Sequence, residues 1–273
     1  MNVHGELALE IINNVGKTVP VAVIGIGCRL PGGIDSADSY WDFLREKRTG
    51  IIEVPRSRWN VDSFFDANPN ARSRTYSRVG GFMTDDVFGF DPAFFDMSPR
   101  EATSMDPQQR IALQVAYEAT QDACITIEDL RRAQTGVFLG ISTVDFAHLQ
   151  RQGRFSASDI FAGTGAAFSI AANRISHRFG LNGPSLAIDT ACSSALVAVD
   201  QAVRHLSMGT CQMAFAGGVN CMLEPGPFVA FSGANMLSKS GEIYTFDNRA
   251  DGFIRGEGCG LVLLKLLDRA IAD

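Results

Sequence analysis

An α/β fold with a largely buried sheet is what this sequence predicts, and three observations carry the prediction. Apolar runs recur along the chain, at "VAVIGIG" after Pro20, "TGVFLGIS" (135–142), "PSLAIDTA" (184–191), "QMAFAGGVN" (212–220) and "CGLVLLKLL" (259–267). Continuous runs of this kind read as strands covered on both faces. Helical periodicity occupies intervals between them, and alternating strands and helices place helical layers against a sheet. The third observation is size. With 273 residues, 46% of them hydrophobic, the chain can bury a substantial core without disulfides or metals.

The elements follow in order. Residues 1–19 read as an N-terminal leader with one short amphipathic stretch, "ELALEIINNV". "VAVIGIG" is the first strand. Residues 52–105 carry Pro, Asp, Phe and Arg with weak periodicity and predict loops and short helices running over the sheet edge. "DPQQRIALQVAYEATQDA" opens a helix with Asp106 as N-cap and Pro107 at the first helical position. "AFSIAANRISHRFG" spaces Phe168, Ala172, Ile175 and Phe179 on one face and stops at Gly180. Residues 192–208 predict a third helix with Leu196, Val199, Val203 and Leu206 as its apolar stripe. Its other faces carry Ala195, Val197, Ala198 and Ala202, so this helix is apolar most of the way round. Such a helix is normally covered from more than one side.

Charge and cysteine usage narrow the function classes. Net charge is -6 and no Lys/Arg run exceeds two residues, which argues against a nucleic-acid partner. The six cysteines (Cys28, Cys124, Cys192, Cys211, Cys221, Cys259) include no C-x-x-C pair, so neither a zinc site nor a disulfide framework is expected. No signal peptide is visible, and "CGLVLLKLL" is too short to span a bilayer. The expected location is cytoplasmic, with no membrane partner.

Several motifs fail on inspection. "VGKT" (15–18) lacks the earlier glycine of a phosphate loop and is followed by Pro20 and a strand. "GIGCRLPGG" begins as a dinucleotide fingerprint, but Leu30 holds the third glycine position and Pro31 interrupts it, leaving a tight strand-to-loop turn. His4, His148, His177 and His205 form no ligand pattern and read as surface or satisfied core residues. His205 lies 13 residues after Cys192 on the same helix, which separates them by about 20 Å. It cannot serve as a base for that thiol.

Cys192 is different. In "DTACSSAL" it stands where a strand passes into a helix, where free backbone N–H groups and the helix dipole favour thiolate over thiol. Ala191, Ser193, Ser194 and Ala195 keep the surroundings small, as at strand-to-helix nucleophile elbows. A buried structural cysteine is the competing reading. No G-x-S-x-G occurs, which removes a serine hydrolase. A nucleophilic cysteine for acyl transfer is the chemistry these residues favour.

"DTACSSAL" resembles the active-site signature of β-ketoacyl synthases, the ketosynthase domains of polyketide and fatty acid synthases. "VAVIGIGCRLPGG", "FDPAFFDMSPREATSMDPQQR", "ANRISHRFGLNGPSLAIDTACSSAL", "AGGVN" and "TFDNRADGFIRGEGCGLVLLKLL" resemble the type I polyketide synthase version, in the right order from Pro20 onward. The resemblance implies a thiolase-like fold, two similar α/β halves stacked as αβαβα layers. It also implies that Cys192 takes an acyl chain from the phosphopantetheine thiol of an acyl carrier protein, with its own backbone N–H in the oxyanion hole. A malonyl-type extender is then decarboxylated and condensed onto the thioester. No bound cofactor is implied beyond the carrier's phosphopantetheine. The implied partners are the carrier, acyltransferase and other synthase domains, and a second copy in a homodimer. The family's two histidine motifs, H-G-T-G-T and Lys-x-x-Asn-x-x-His, are absent. Residues 20–273 are therefore expected to be the N-terminal half, inactive for condensation by themselves. The alternative is a truncated, non-catalytic module kept for dimerisation.

Overall fold

Seven strands and ten α-helices are present among residues 19–155 and 160–273, which the computed structural model describes. The strands are β1 (Val21–Arg29), β2 (Ile51–Glu53), β3 (Val79–Gly81), β4 (Gly136–Gly140), β5 (Ser185–Ile188), β6 (Met213–Asn220) and β7 (Gly258–Leu266). The helices are α1 (Ala37–Arg45), α2 (Pro99–Ser104), α3 (Pro107–Asp122), α4 (Ile127–Arg132), α5 (Asp145–Arg151), α6 (Ala162–Ala166), α7 (Phe168–Phe179), α8 (Ser194–Ser207), α9 (Gly226–Gly233) and α10 (Leu267–Ala272). The expected leader, bar Val19, and the "VGKT" stretch lie outside the described residues.

Five strands make one mixed sheet in the order β1-β7-β6-β4-β5. β7 runs antiparallel to both β1 and β6, whereas β6, β4 and β5 are mutually parallel. Strand alternation sorts the side chains to two faces. Val137, Leu139, Met213, Phe215, Leu261 and Leu263 meet α3 and α7 on one face. Phe138, Ala214, Ala216 and Leu264 meet α8 on the other. The α/β expectation therefore holds, as three layers with helix on each side of the sheet.

The helix ends follow their local chemistry. Asp106 caps α3 through its carboxylate, which accepts from the Gln108 amide at 2.9 Å, and Pro107 opens the helix. Gly180 ends α7 in the left-handed region at φ 69°, and the Leu181 amide returns to the Ser176 carbonyl. The glycines of "GIG" are not a turn. They lie inside β1, where a Cβ on Gly25 or Gly27 would drive into the carbonyl oxygens of Ala119 and Val115 on α3. Their absence of side chain lets α3 rest directly on the strand.

Three expectations need correction. β1 is an edge strand, and Val23 and Ile26 on its α8 side are exposed because α8 does not reach across it. The predicted strand 184–191 ends at Ile188, and the chain then turns. The stripe on α8 is also different. Ser194, Ala198, Ala202 and Leu206 face the sheet, while Leu196 is 77% exposed and Val199 and Val203 are half-buried. The small residues turn inward because the helix lies close to the strands.

The 52–105 segment is an excursion as expected, but it also contains the β2–β3 ribbon. It has a small core of its own. Trp59, Phe82 and Phe228 pack together with ring centroids 5.3–6.3 Å apart, beside Val54 and Met222. Arg58 of this segment pairs with Glu257 at the approach to β7, and both side chains are buried.

Candidate active site

The turn from β5 to α8 is built by its own polar residues. Asp189 Oδ1 accepts from the Ala191 amide at 3.0 Å. Ser194 Oγ accepts from the Thr190 amide at 2.9 Å and donates to the Ala191 carbonyl at 2.6 Å. Ser193 Oγ donates to the Thr190 carbonyl at 2.9 Å. These bonds hold Ala191 at φ 56°, a left-handed conformation that costs an L-residue about 1–2 kcal/mol. The serines flanking Cys192 therefore do more than keep its surroundings small. They lock a strained turn.

Cys192 stands on this turn, immediately before the N-cap residue Ser193. The expected helix start at 192 is thus displaced, because the tight turn occupies the two residues before Ser194. The thiol is exposed and has no hydrogen-bond partner among the described residues. Its position depends on close approach between α8 and the sheet. A Cβ on Gly140 would lie 2.7 Å from the Ala195 nitrogen, and one on Gly218 would lie 2.9 Å from the Ala195 Cβ. Bulkier residues at either place would push the first turn of α8, and Cys192 with it, off the strand ends.

A hollow of about 660 Å³ opens in front of the thiol. Its walls come from the ends of β4 and β6, the Cys192 turn, Phe231 and Met236, and the approach to β7 from Phe253 to Gly260. Ligand sites commonly lie at the carboxyl ends of parallel strands, and β4 and β6 supply two such ends here. Sequence reasoning did not single out this second wall. Arg255 in it is 8% exposed and stacks on Phe228 and Phe231, 5.0 and 5.5 Å from their ring centroids. Burial holds its guanidinium below the usual arginine range. Glu257 is held by four donors: Arg58 Nε and Nη2 at 2.9 Å, the Met83 amide at 2.9 Å and the Met222 amide at 3.0 Å.

The other thiols differ in kind. Cys28, Cys211, Cys221 and Cys259 are buried, and burial raises each thiol above its usual range, Cys211 to about 11. Only Cys124 shares exposure with Cys192 among the six. None of the described histidines lines the hollow. His148 Nδ1 lies 2.6 Å from Glu224 Oε1, and His205 Nδ1 lies 2.7 Å from Thr210 Oγ1, with its ring against Phe138. His177 sits in the last turn of α7, and His4 lies outside the described residues. Among the described residues no cluster of three His, Cys, Asp or Glu could hold a metal, and no helix is long and apolar enough to cross a membrane.

The chain is similar to known proteins of one family. Residues 18–270 match the family described as beta-ketoacyl synthase, N-terminal domain. A phenolphthiocerol/phthiocerol polyketide synthase of Mycobacterium tuberculosis is 44% identical over 266 residues, covering 96% of this chain and 17% of that protein. Another phenolphthiocerol/phthiocerol polyketide synthase, from Mycobacterium bovis, is 42% identical over 278 residues, covering the whole of this chain and 15% of its own length. The oxazolomycin ketosynthase domain KS7 of Streptomyces albus superposes with a TM-score of 0.85 at 36% identity, over 93% of this chain and 45% of its own. A ketosynthase from module 6 of the Bacillus subtilis bacillaene synthase, solved as a cysteine-to-serine mutant, gives 0.83 at 38% identity, over 93% and 41%. The chain thus spans under a fifth of these two synthases and under half of these two solved ketosynthases. The sheet and its two helical layers are those of a thiolase-like ketosynthase fold, and this chain belongs to the β-ketoacyl synthase family, matching its N-terminal domain.

Proposed function

We propose that this chain accepts an acyl group on Cys192 as the condensing component of a polyketide synthase. One observation carries the reading: an exposed, unpartnered thiol on a strained turn at the mouth of a 660 Å³ hollow, in a chain of this family. The Cys192 sulfur attacks the carbonyl of an acyl thioester. A new carbon–sulfur bond forms, the bond to the donor thiol breaks, and the donor leaves as thiol with the proton that Cys192 gave up. The backbone N–H of Cys192 would help to hold the oxyanion of the tetrahedral intermediate. A malonyl-type extender then loses CO₂, and its carbanion attacks the Cys192 thioester and releases the thiol.

The donor in this reading is the phosphopantetheine arm of an acyl carrier protein. No cofactor is needed on the chain itself. Acyltransferase and other synthase domains would be neighbours in a cytoplasmic, homodimeric assembly, and residues 20–273 would act as one half of the condensing domain. Incubation with an acyl-loaded carrier protein, read by intact mass, tests the proposal. One acyl adduct per chain is expected, mapped to Cys192 and lost in Cys192→Ala. An inert dimerisation module would give no adduct.

A further inference from the structure

One wall of the Cys192 hollow is short of a proton. Thr143 Oγ1 lies 2.8 Å from Gln108 Oε1 and 2.8 Å from Asn220 Oδ1. Both neighbours are acceptors, and a hydroxyl has a single proton to give. The Gln108 amide cannot be turned round to help. Its Nε2 donates to Asp106 Oδ2 at 3.1 Å and to the Thr143 carbonyl at 3.0 Å, which fixes Oε1 towards the hydroxyl. Gln108 is buried and Oε1 has no other donor among the described residues, so the Thr143 proton belongs there.

Asn220 is fixed as well. Its Nδ2 donates to the Gly256 carbonyl at 2.6 Å. Reversing this amide would supply a donor to Thr143 but set Oδ1 against the Gly256 oxygen. Either orientation leaves one pair of oxygens facing each other without a hydrogen between them. In the orientation that donates Nδ2 to Gly256, the acceptor left without a donor among the described residues is Asn220 Oδ1. A partly buried acceptor in this state favours any donor that can reach it.

The place of this acceptor matters. Thr143 and Asn220 are both partly open and both line the hollow. Asn220 follows Gly218 by two residues on β6, so it projects to the same face, about 7 Å further along the strand. That is the face on which Ala195 rests against Gly218, beside the turn that carries Cys192. A donor entering the hollow alongside a sulfur bound for Cys192 therefore passes this pair.

We propose that Asn220, with Thr143 behind it, receives an amide N–H of the thioester arm that delivers the acyl group to Cys192. The inference rests on the acyl-transfer reading above and assigns a binding role within the same hollow. A phosphopantetheine arm carries its first amide nitrogen three bonds from the sulfur. An N–H placed there donates to Asn220 Oδ1 and completes the wall, while an arm with an ester oxygen in that place sets another acceptor against it. Asn220 is thus a binding residue for the arm, and Thr143 and Gln108 are positioning residues that hold its oxygen unpaired.

The test compares two small acetyl thioesters. One is the thioester of N-acetylcysteamine, and the other has its amide N–H replaced by an ester oxygen at equal length. Rates of Cys192 acylation are read by intact mass in the wild-type chain and in Asn220→Ala, Asn220→Leu, Thr143→Val and Thr143→Ser. The wild type is expected to favour the amide by about tenfold. Asn220→Ala and Asn220→Leu should bring the ratio near one, and Thr143→Ser should keep it. If Asn220 variants fail to fold, Thr143→Val supplies the readout, because it removes the second oxygen that faces Asn220 Oδ1 and with it part of the demand for an entering donor, and the ratio should fall. Equal wild-type rates for the two thioesters, or a preference that survives in the folded Asn220 or Thr143→Val variants, would overturn the proposal in favour of a water filling the gap. Absence of acylation by either thioester in the wild type would instead overturn the acyl-transfer reading on which it rests.

Discussion

Replacing Glu257 by glutamine changes one atom of the side chain and should cost the fold several kcal/mol. The carboxylate is fully buried and takes four donors, two of them from Arg58, whose side chain is 2% exposed. In Glu257→Gln the shape is kept, but an NH₂ replaces one oxygen and points at groups that can only donate. The Arg58 charge then has no counter-charge in a low-dielectric surrounding. Breaking a buried pair from one side costs about 3–5 kcal/mol. With a urea m-value of about 3 kcal/mol/M, the unfolding midpoint should fall by roughly 1–1.7 M. Trp59 is the reporter, because it is buried against Phe82 and Phe228 in the cluster that Arg58 adjoins. Removing both charges in Arg58→Met/Glu257→Met should recover part of the loss, since a buried pair replaced whole by apolar groups is often close to neutral. A Glu257→Gln midpoint within about 0.3 M of wild type would refute the account of this pair as an uncompensated charge once broken.

Other outcomes follow from the same structure. Under limiting iodoacetamide, Cys192 should label first, Cys124 should be the main competitor, and the four buried thiols should stay unmodified until unfolding; peptide mapping that found Cys28 or Cys259 ahead would contradict this. Asp106 is pushed up to about 6 by burial, from an ordinary value of 3.8. Because the folded value is raised, its contribution to stability is fully present below pH 3.8 and lost as pH rises through about 6. Asp106→Asn, which keeps a capping side chain, should remove that part of the decline when melting temperatures are compared from about pH 4 to 7. An unchanged pH profile would show that Asp106 titrates normally. Ile26, Trp41 and Leu44 surround an apolar hollow of about 450 Å³, and Leu196 projects from the outer side of α8. The isolated chain should therefore self-associate in light scattering, and Trp41→Glu with Leu196→Glu should shift it towards monomer. A monodisperse wild-type monomer would show that this surface tolerates water.

Local chemistry made much of the fold legible in the sequence. Runs such as "TGVFLGIS" and "QMAFAGGVN" announce central strands because both faces of such strands must be apolar. Asp106–Pro107 and Gly180 mark helix ends because capping is decided within a few residues. "DTACSSAL" singled out Cys192 by the same logic, although the αL turn at Ala191 and the roles of Ser193 and Ser194 needed the backbone path. The stripe on α8 could not be read, since Leu196 and Ala198 differ only in what lies opposite each, and the glycines that bring the small residues inward sit on β4 and β6. The Arg58–Glu257 pair joins residues 199 apart in sequence, and the Gln108–Thr143–Asn220 wall gathers three segments. No local pattern records such meetings. The sequence determined the central strands, the capped helix ends at Asp106 and Gly180 and the candidate thiol, because those depend on neighbours along the chain. Tertiary structure alone decided which faces are buried, which charges pair and which acceptor faces the hollow, because burial and hydrogen bonding depend on neighbours in space.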